Sequence, residues 1–216
     1  LETVAADICQ VLDKALAGRK EELKDVKVRM SFTFAPREII SVDPNRETFT
    51  AMNWHMSGYD RKMCAQGLMN FIPMCYRNEP SMYRDILDVD VAMITVAPMD
   101  KHGFFNFGLN ISANEAITKK AKKVIVEVNE AMPRALGGRG EQIHISDVAA
   151  IVEAGTIPMP TIPFKTGDEI DTKIAEMIVK EIPNGATLQL GVGGLPNTVG
   201  AMIAESDLKD LGMHTE

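Results

Sequence analysis

One tryptophan, three cysteines and four histidines are all that 216 residues offer of several side chains that metals and redox cofactors recruit. Cys9, Cys64 and Cys75 are odd in number and lack any Cys-x-x-Cys spacing. That excludes a disulfide framework or zinc ribbon and reads as thiols in a reducing, cytoplasmic compartment. No apolar run approaches the ~20 residues that span a bilayer, and no signal peptide is visible, so no membrane partner is expected. Basic residues are few, 23 against 30 acidic, and the net charge of -7 argues against a nucleic-acid partner. The same charge gives no general attraction for an anion. An anionic ligand would have to be held by locally arranged amides or cations.

What is present suits a soluble globular chain: 45% hydrophobic and 25% charged residues, enough for one large α/β domain or two small ones. The fourteen methionines read as fillers of irregular core gaps. Val4, Ile8, Val11, Leu12, Ala15 and Leu16 recur at helical spacing and predict an amphipathic helix closed by Gly18. A chain that opens inside a helix is expected to have lost its natural N-terminus. Strands are expected over 26–33, 47–57, 89–96, 104–110 and 124–128, and a short helix over 59–67. Asp100 to Gly103 reads as a turn, because glycine supplies positive φ and aspartate bonds its own backbone. Ser112 with Glu115, and Thr166 with Glu169, have the spacing of capping boxes opening helices. Ile170, Ile174, Met177 and Ile178 stripe the second of these. Helices alternating with short β-branched runs predict an α/β fold with an open, mostly parallel sheet flanked by helices. Residues 1–156 are read as the main α/β unit, 157–165 as a proline-rich connector and 166–216 as a helix–strand–helix unit.

Two motifs could carry chemistry. Leu188 to Val199 reads as strand, glycine-rich turn and helix. Gly191, Gly193 and Gly194 let a backbone approach a ligand closely, and Pro196 suits a first helical turn. Amides exposed there would favour an anion or a developing oxyanion. The spacing matches neither the dinucleotide fingerprint nor a P-loop, and a tight turn with no ligand accounts for the glycines equally well. The second motif is Leu211 to Glu216. His214 and Glu216 have the His-x-Glu spacing of zinc deaminases, but no Pro-Cys-x-x-Cys partner exists. His55, His102 and His144 show no ligand spacing, so no metal is expected. Asp60, Arg61 and Lys62 read as a solvated helix face, and Arg134 as a surface residue or a local ion pair.

Five ordered blocks carry a resemblance: Asp88 to Ile94, Ala97 to Gly103, Val126 to Asn129 with Met132 to Arg134, Gln189 to Pro196, and Leu211 to Glu216. In that order they are similar to the acetyl-CoA hydrolase/transferase family. Ser57 to Met63 and Phe104 to Phe107 pull the likeness toward its butyryl-CoA:acetate branch, with the 4-hydroxybutyrate CoA-transferases close behind. The resemblance covers nearly the whole chain but half of a family member. It implies that the family's first strand and its C-terminal half, which carries further CoA contacts, are absent. It also implies a CoA-transferase-type fold, with Glu216 as the catalytic nucleophile and Gly191, Val192, Gly193, Gly194 and Leu195 as the CoA-binding loop. The implied partners are an acyl-CoA and a short-chain carboxylate, with CoA thioester as substrate and no permanently bound cofactor. The full-length protein is expected to be a homo-oligomer. Two other readings stand beside the transferase: a CoA-thioester hydrolase on the same scaffold, and a non-catalytic ligand-sensing α/β domain.

Overall fold

Seven short runs, most of them rich in β-branched and apolar residues, line up as one all-parallel sheet. The computed structural model describes residues 3–7 as backbone, and 9–33, 35–159, 165 and 167–214 in full. It divides into two units, Leu1–Pro160 and Thr161–Glu216. In the first, the helices and strands run β1 (Thr3–Asp7), α1 (Val11–Gly18), β2 (Val26–Met30), α2 (Glu38–Ser41), β3 (Phe49–Asn53), α3 (Gly58–Ala65) and β4 (Asn70–Phe71). They continue as α4 (Glu79–Ser81), β5 (Val91–Val96), β6 (Phe104–Asn106), α5 (Asn114–Lys120), β7 (Lys123–Asn129), β8 (Gln142–His144) and β9 (Ala150–Gly155). The main sheet has the order β4-β3-β2-β1-β5-β7-β9, and every pair in it is parallel. A parallel sheet covered on both faces needs apolar side chains on both sides of its central strands. β5 meets that demand: Met93 joins the core of Leu12, Val28, Ile39 and Phe49 on one face. Ala92, Ile94 and Val96 join Phe105, Ile117, Val126 and Val128 on the other. Fully burying one such valine or isoleucine is worth about 1.5–3 kcal/mol.

The strand order reverses direction between β1 and β5, because β2 to β4 extend to one side and β5, β7 and β9 to the other. In open α/β sheets that reversal opens a crevice at the carboxyl ends of the strands, where ligands bind. β6 and β8 form a separate antiparallel pair, with Phe104 opposite His144.

The second unit contains α6 (Glu169–Lys180), β10 (Thr187–Leu188), α7 (Gly194–Ala204) and β11 (Gly212–Met213). The stripe expected on α6 is present and largely outward: Ile170 is 67% and Met177 66% exposed, while Ala175 is buried. Among the described residues no helix is long and apolar enough to cross a membrane.

Several expectations hold, and others are corrected. The parallel α/β class holds, as do β2, β3, α3, β5, β7 and the Asp100 turn. In that turn Asp100 Oδ1 accepts the N–H groups of His102 and Phe104 at 2.9 Å each. The N–H of Phe104 foremost holds this carboxyl below the usual range. The helix expected from Val4 onward is instead a strand over Thr3–Asp7 followed by a helix from Val11, with Arg19 rather than Gly18 as its C-cap. This strand, β1, lies at the centre of the sheet. The apolar spacing is ambiguous because the stretch before Val11 is too short for periodicity alone to separate a buried strand from a helical turn. The capping box expected from Ser112 does not form, and Thr166 of the second expected box lies outside the described residues. Ser112 turns aside at φ 36 to donate to Glu79 Oε2 at 3.0 Å, and Glu115 pairs with Lys119 at 2.6 Å. Before α6 the cap is Asp168, reciprocated by Asp171. Asp168 Oδ1 accepts the N–H groups of Ile170 and Asp171 at 2.9 Å each, as a helix N-cap does.

Candidate functional site

Thr187 and Leu188 pair in parallel with Gly212 and Met213, and the N–H of His214 donates to the Leu188 carbonyl at 2.9 Å. The two motifs singled out in the sequence therefore lie on adjacent strands. Parallel strands leave a pair at the same end, so the glycine turn and His214 follow the pair at one end. Close approach permits the pairing: a Cβ on Gly212 would lie 2.9 Å from Thr187 Oγ1. Thr215 and Glu216 lie outside the described residues.

The glycine turn has distinct reasons for its glycines. Gly193, the N-cap of α7, has φ 144 and ψ 177, a conformation that side-chain-bearing residues rarely adopt. Gly194 is a packing position, since a Cβ there would sit 3.2 Å from Gly167 Cα and 3.3 Å from Asp171 Oδ2. Gly191 has neither constraint. Its Cβ would meet only Pro196 Cγ, at 3.8 Å. Val192, at the tip, is 80% exposed.

No side chain caps α7, and the leading N–H groups of a helix have no intrahelical acceptor. Pro196, third in the helix, brings no N–H of its own. The first turn is fastened elsewhere. Thr198 Oγ1 accepts the N–H of Gly167 and donates to the Gly194 carbonyl, each at 2.9 Å. Asn197 Nδ2 donates to the Lys165 carbonyl at 3.0 Å. The amides of Gly194 and Leu195 thus stand on a braced helix end, the arrangement that suits an anion or oxyanion.

The main sheet is flanked by buried side chains that sequence reasoning missed, Asp60 beyond the carboxyl ends of its strands and Asp43 at the amino end of β3. Asp60, expected on a solvated face, is completely buried. It caps α3 in a capping box with Ser57, and its Oδ2 also accepts the Thr33 N–H at 3.0 Å, tying the end of β2 to the start of α3. The missed signal was Ser-x-x-Asp at 57–60. Asp43 Oδ2 accepts the N–H groups of Thr48 and Phe49, and Lys20 lies 3.4 Å from Oδ1. Burial pushes this carboxyl up, but the Phe49, Thr48 and Glu47 N–H groups and Lys20 outweigh it and hold it below its ordinary value. Glu127, 1% exposed on β7, accepts the N–H groups of Gln10 at 3.0 Å and Leu12 at 2.9 Å. A lone acid inside Val-Ile-Val-Glu-Val on a doubly covered strand announces such partners, since a buried carboxylate without them is prohibitively costly. Arg134 pairs with Asp100 at 3.4 Å, as expected. Among the described residues no cluster of His, Cys, Asp and Glu could hold a metal ion.

Residues 1–163 match the acetyl-CoA hydrolase/transferase N-terminal domain. The chain is 51% identical over 210 residues to the butyryl-CoA:acetate CoA-transferase of Anaerostipes caccae, covering 95% of this chain and 46% of that protein. It is 43% identical to the probable butyrate:acetyl-CoA coenzyme A-transferase of Syntrophomonas wolfei, covering 94% and 46%. The crystal structure of RipA from Yersinia pestis superposes with a TM-score of 0.86 at 30% identity, covering all of this chain and 52% of RipA. The chain therefore spans about half the length of the relatives it matches. With its parallel α/β sheet and these likenesses, the chain belongs to the acetyl-CoA hydrolase/transferase family.

Proposed function

We propose that the protein containing this chain moves CoA from a short-chain acyl-CoA, butyryl-CoA-like, to acetate or another carboxylate, with Glu216 as nucleophile. The observation that supports this reading is the parallel pairing of β10 and β11, with the glycine turn after one strand and His214 after the other at the same end of the pair. The relatives' names add CoA, butyrate and acetate as the chemistry to test.

The Glu216 carboxylate attacks the thioester carbonyl. A C–O bond forms, the C–S bond breaks, and CoA leaves as thiolate from a mixed anhydride. The thiolate then attacks the glutamyl carbonyl and expels the first acid as carboxylate, leaving a glutamyl-CoA thioester. The acceptor acid runs the two steps in reverse. One hard exchange becomes several easier ones, with ping-pong kinetics. Each tetrahedral intermediate places negative charge on an oxygen, and this reading assigns its stabilisation to the amides of residues 191–195. One such donor is worth about 3 kcal/mol in kcat. Water must be kept from the intermediates, or transfer becomes hydrolysis.

The test uses the full-length protein. Incubation with butyryl-CoA followed by borohydride should inactivate it by reducing a glutamyl thioester at residue 216, and Glu216→Ala should neither transfer CoA nor carry the adduct. An adduct on another residue overturns the assignment. Consumption of butyryl-CoA at the same rate with and without acetate makes the protein a hydrolase instead.

A further inference from the structure

The crevice where the strand order reverses, between β1 and β5, is the place where doubly wound sheets hold the phosphates of a nucleotide, on the N-terminus of the helix after the first strand. Here that helix is α1, and its first N–H groups are taken by a side chain of the same chain. Glu127 Oε1 accepts from Gln10, the N-cap, and Oε2 accepts from Leu12, at 3.0 and 2.9 Å. The reach is long in sequence, 117 and 115 residues, and short in space. Glu127 stands in register with Thr95 on the neighbouring strand β5, and Thr95 Oγ1 lies 3.6 Å from Cys9 Sγ. Cys9, Thr95 and Glu127 are all buried, which shields the carboxylate from water. The turn is also held from its other side, where Arg37 Nη1 donates to the Cys9 carbonyl at 2.8 Å.

We propose that Glu127 is a built-in anion: a positioning residue that fills the phosphate place at the strand reversal, holds the β1–α1 turn in shape and closes that place to nucleotide and CoA phosphates. Three observations converge on this. The carboxylate engages the N–H groups with both oxygens, the geometry of a bound anion rather than of a surface cap. Its burial leaves no room for a phosphate beside it, since the void lined by Gln10, Thr95, Glu127, Asn129 and Met159 is only about 10 Å³. The guanidinium nearest the turn is engaged within the chain as well, since Arg37, itself buried, donates to the Cys9 carbonyl. A phosphate-bearing ligand of this unit must therefore be held by other groups.

The experiment is vacancy and refilling, in the full-length protein. Glu127→Ala should lower Tm by roughly 5–10 °C, because two charge-assisted hydrogen bonds to buried N–H groups are lost. Sodium formate, the smallest carboxylate, should return at least half of that loss at about 100 mM, and sodium phosphate should also raise Tm, by occupying the vacated N–H pair. Sodium chloride at equal ionic strength should not. The parent, whose site is filled, should show the same small response to formate, phosphate and chloride. Glu127→Gln still fills the space, so it should be destabilised yet unresponsive to formate. A Glu127→Ala protein that responds to formate no more than to chloride overturns the proposal, as does a parent stabilised by phosphate as strongly as the variant. Should Glu127→Ala fail to fold without additive, refolding in formate but not in chloride supports the proposal, and refolding in neither overturns it.

Discussion

The carboxamide of Asn129 pairs with the backbone of Ile157 as one peptide group pairs with another in a sheet: its Oδ1 accepts the Ile157 N–H at 3.0 Å and its Nδ2 donates to the Ile157 carbonyl at 2.9 Å. Oδ1 also accepts the Ala131 N–H at 2.9 Å. One side chain thus fastens the segment after β9 to the end of β7. Asn129→Asp keeps the acceptors but loses the donor and sets a carboxylate against the Ile157 carbonyl. Urea unfolding should show a loss of about 2 kcal/mol for Asn129→Asp and about 3 kcal/mol for Asn129→Ala. Losses below about 0.5 kcal/mol, the range of ordinary surface changes, would show that the pairing contributes nothing.

Asp43 makes acid stability measurable at a single residue. Its folded-state carboxyl lies below the ordinary value of 3.8. The stability it contributes is therefore complete above that pH and is lost as pH falls through the lower, folded value. Asp43→Asn should cost about 1–2 kcal/mol at pH 7. The gap between variant and parent should narrow from about pH 4 downward. Denaturant titrations across pH 2.5–7 decide it. A gap independent of pH would remove the charge from the explanation.

The glycine turn can be dissected because its glycines differ. Gly193→Val is an unclean probe: φ 144 at that position strains any side chain, so stability falls whether or not a ligand binds. Gly191→Ala is clean, since its Cβ meets only Pro196 Cγ at an ordinary 3.8 Å. It should keep Tm within about 2 °C. If the turn lines the thioester, it should lower kcat/KM of the full-length protein at least about tenfold, or 1.4 kcal/mol of transition-state stabilisation. A stable Gly191→Ala protein with parental kcat/KM would make the turn purely structural.

Asp60 connects β2 to α3 through the N–H groups of Thr33 and Ser57, at 3.0 and 2.8 Å. Asp60→Ala strands both and removes half of the capping box. A loss of about 2–3 kcal/mol is expected in equilibrium unfolding, and Ser57→Ala should cost about 1 kcal/mol. A double variant losing the simple sum would deny that the two residues act as one cap.

The sequence by itself determined the class of the fold, most strands of the main sheet, the Asp100 turn, the glycine turn and the family. Each is written in neighbouring residues: β-branched runs buried on both faces, an aspartate three before a glycine, glycines between a strand and a helix, and blocks in a fixed order. Only the tertiary structure decided which polar side chains are structural. Glu127 and Gln10 are more than a hundred residues apart, and the register of β7 beside β5 brings one to the other. Asp60 looked solvated because Arg61 and Lys62 follow it, yet a helix turns consecutive residues to different faces. Val4 fits a helical stripe in the sequence, but pairing with β2 and β5 makes it part of a strand at the sheet's centre. Local spacing records what a segment can form. Burial and backbone hydrogen bonding, satisfied only when distant segments meet, select which of those forms it takes.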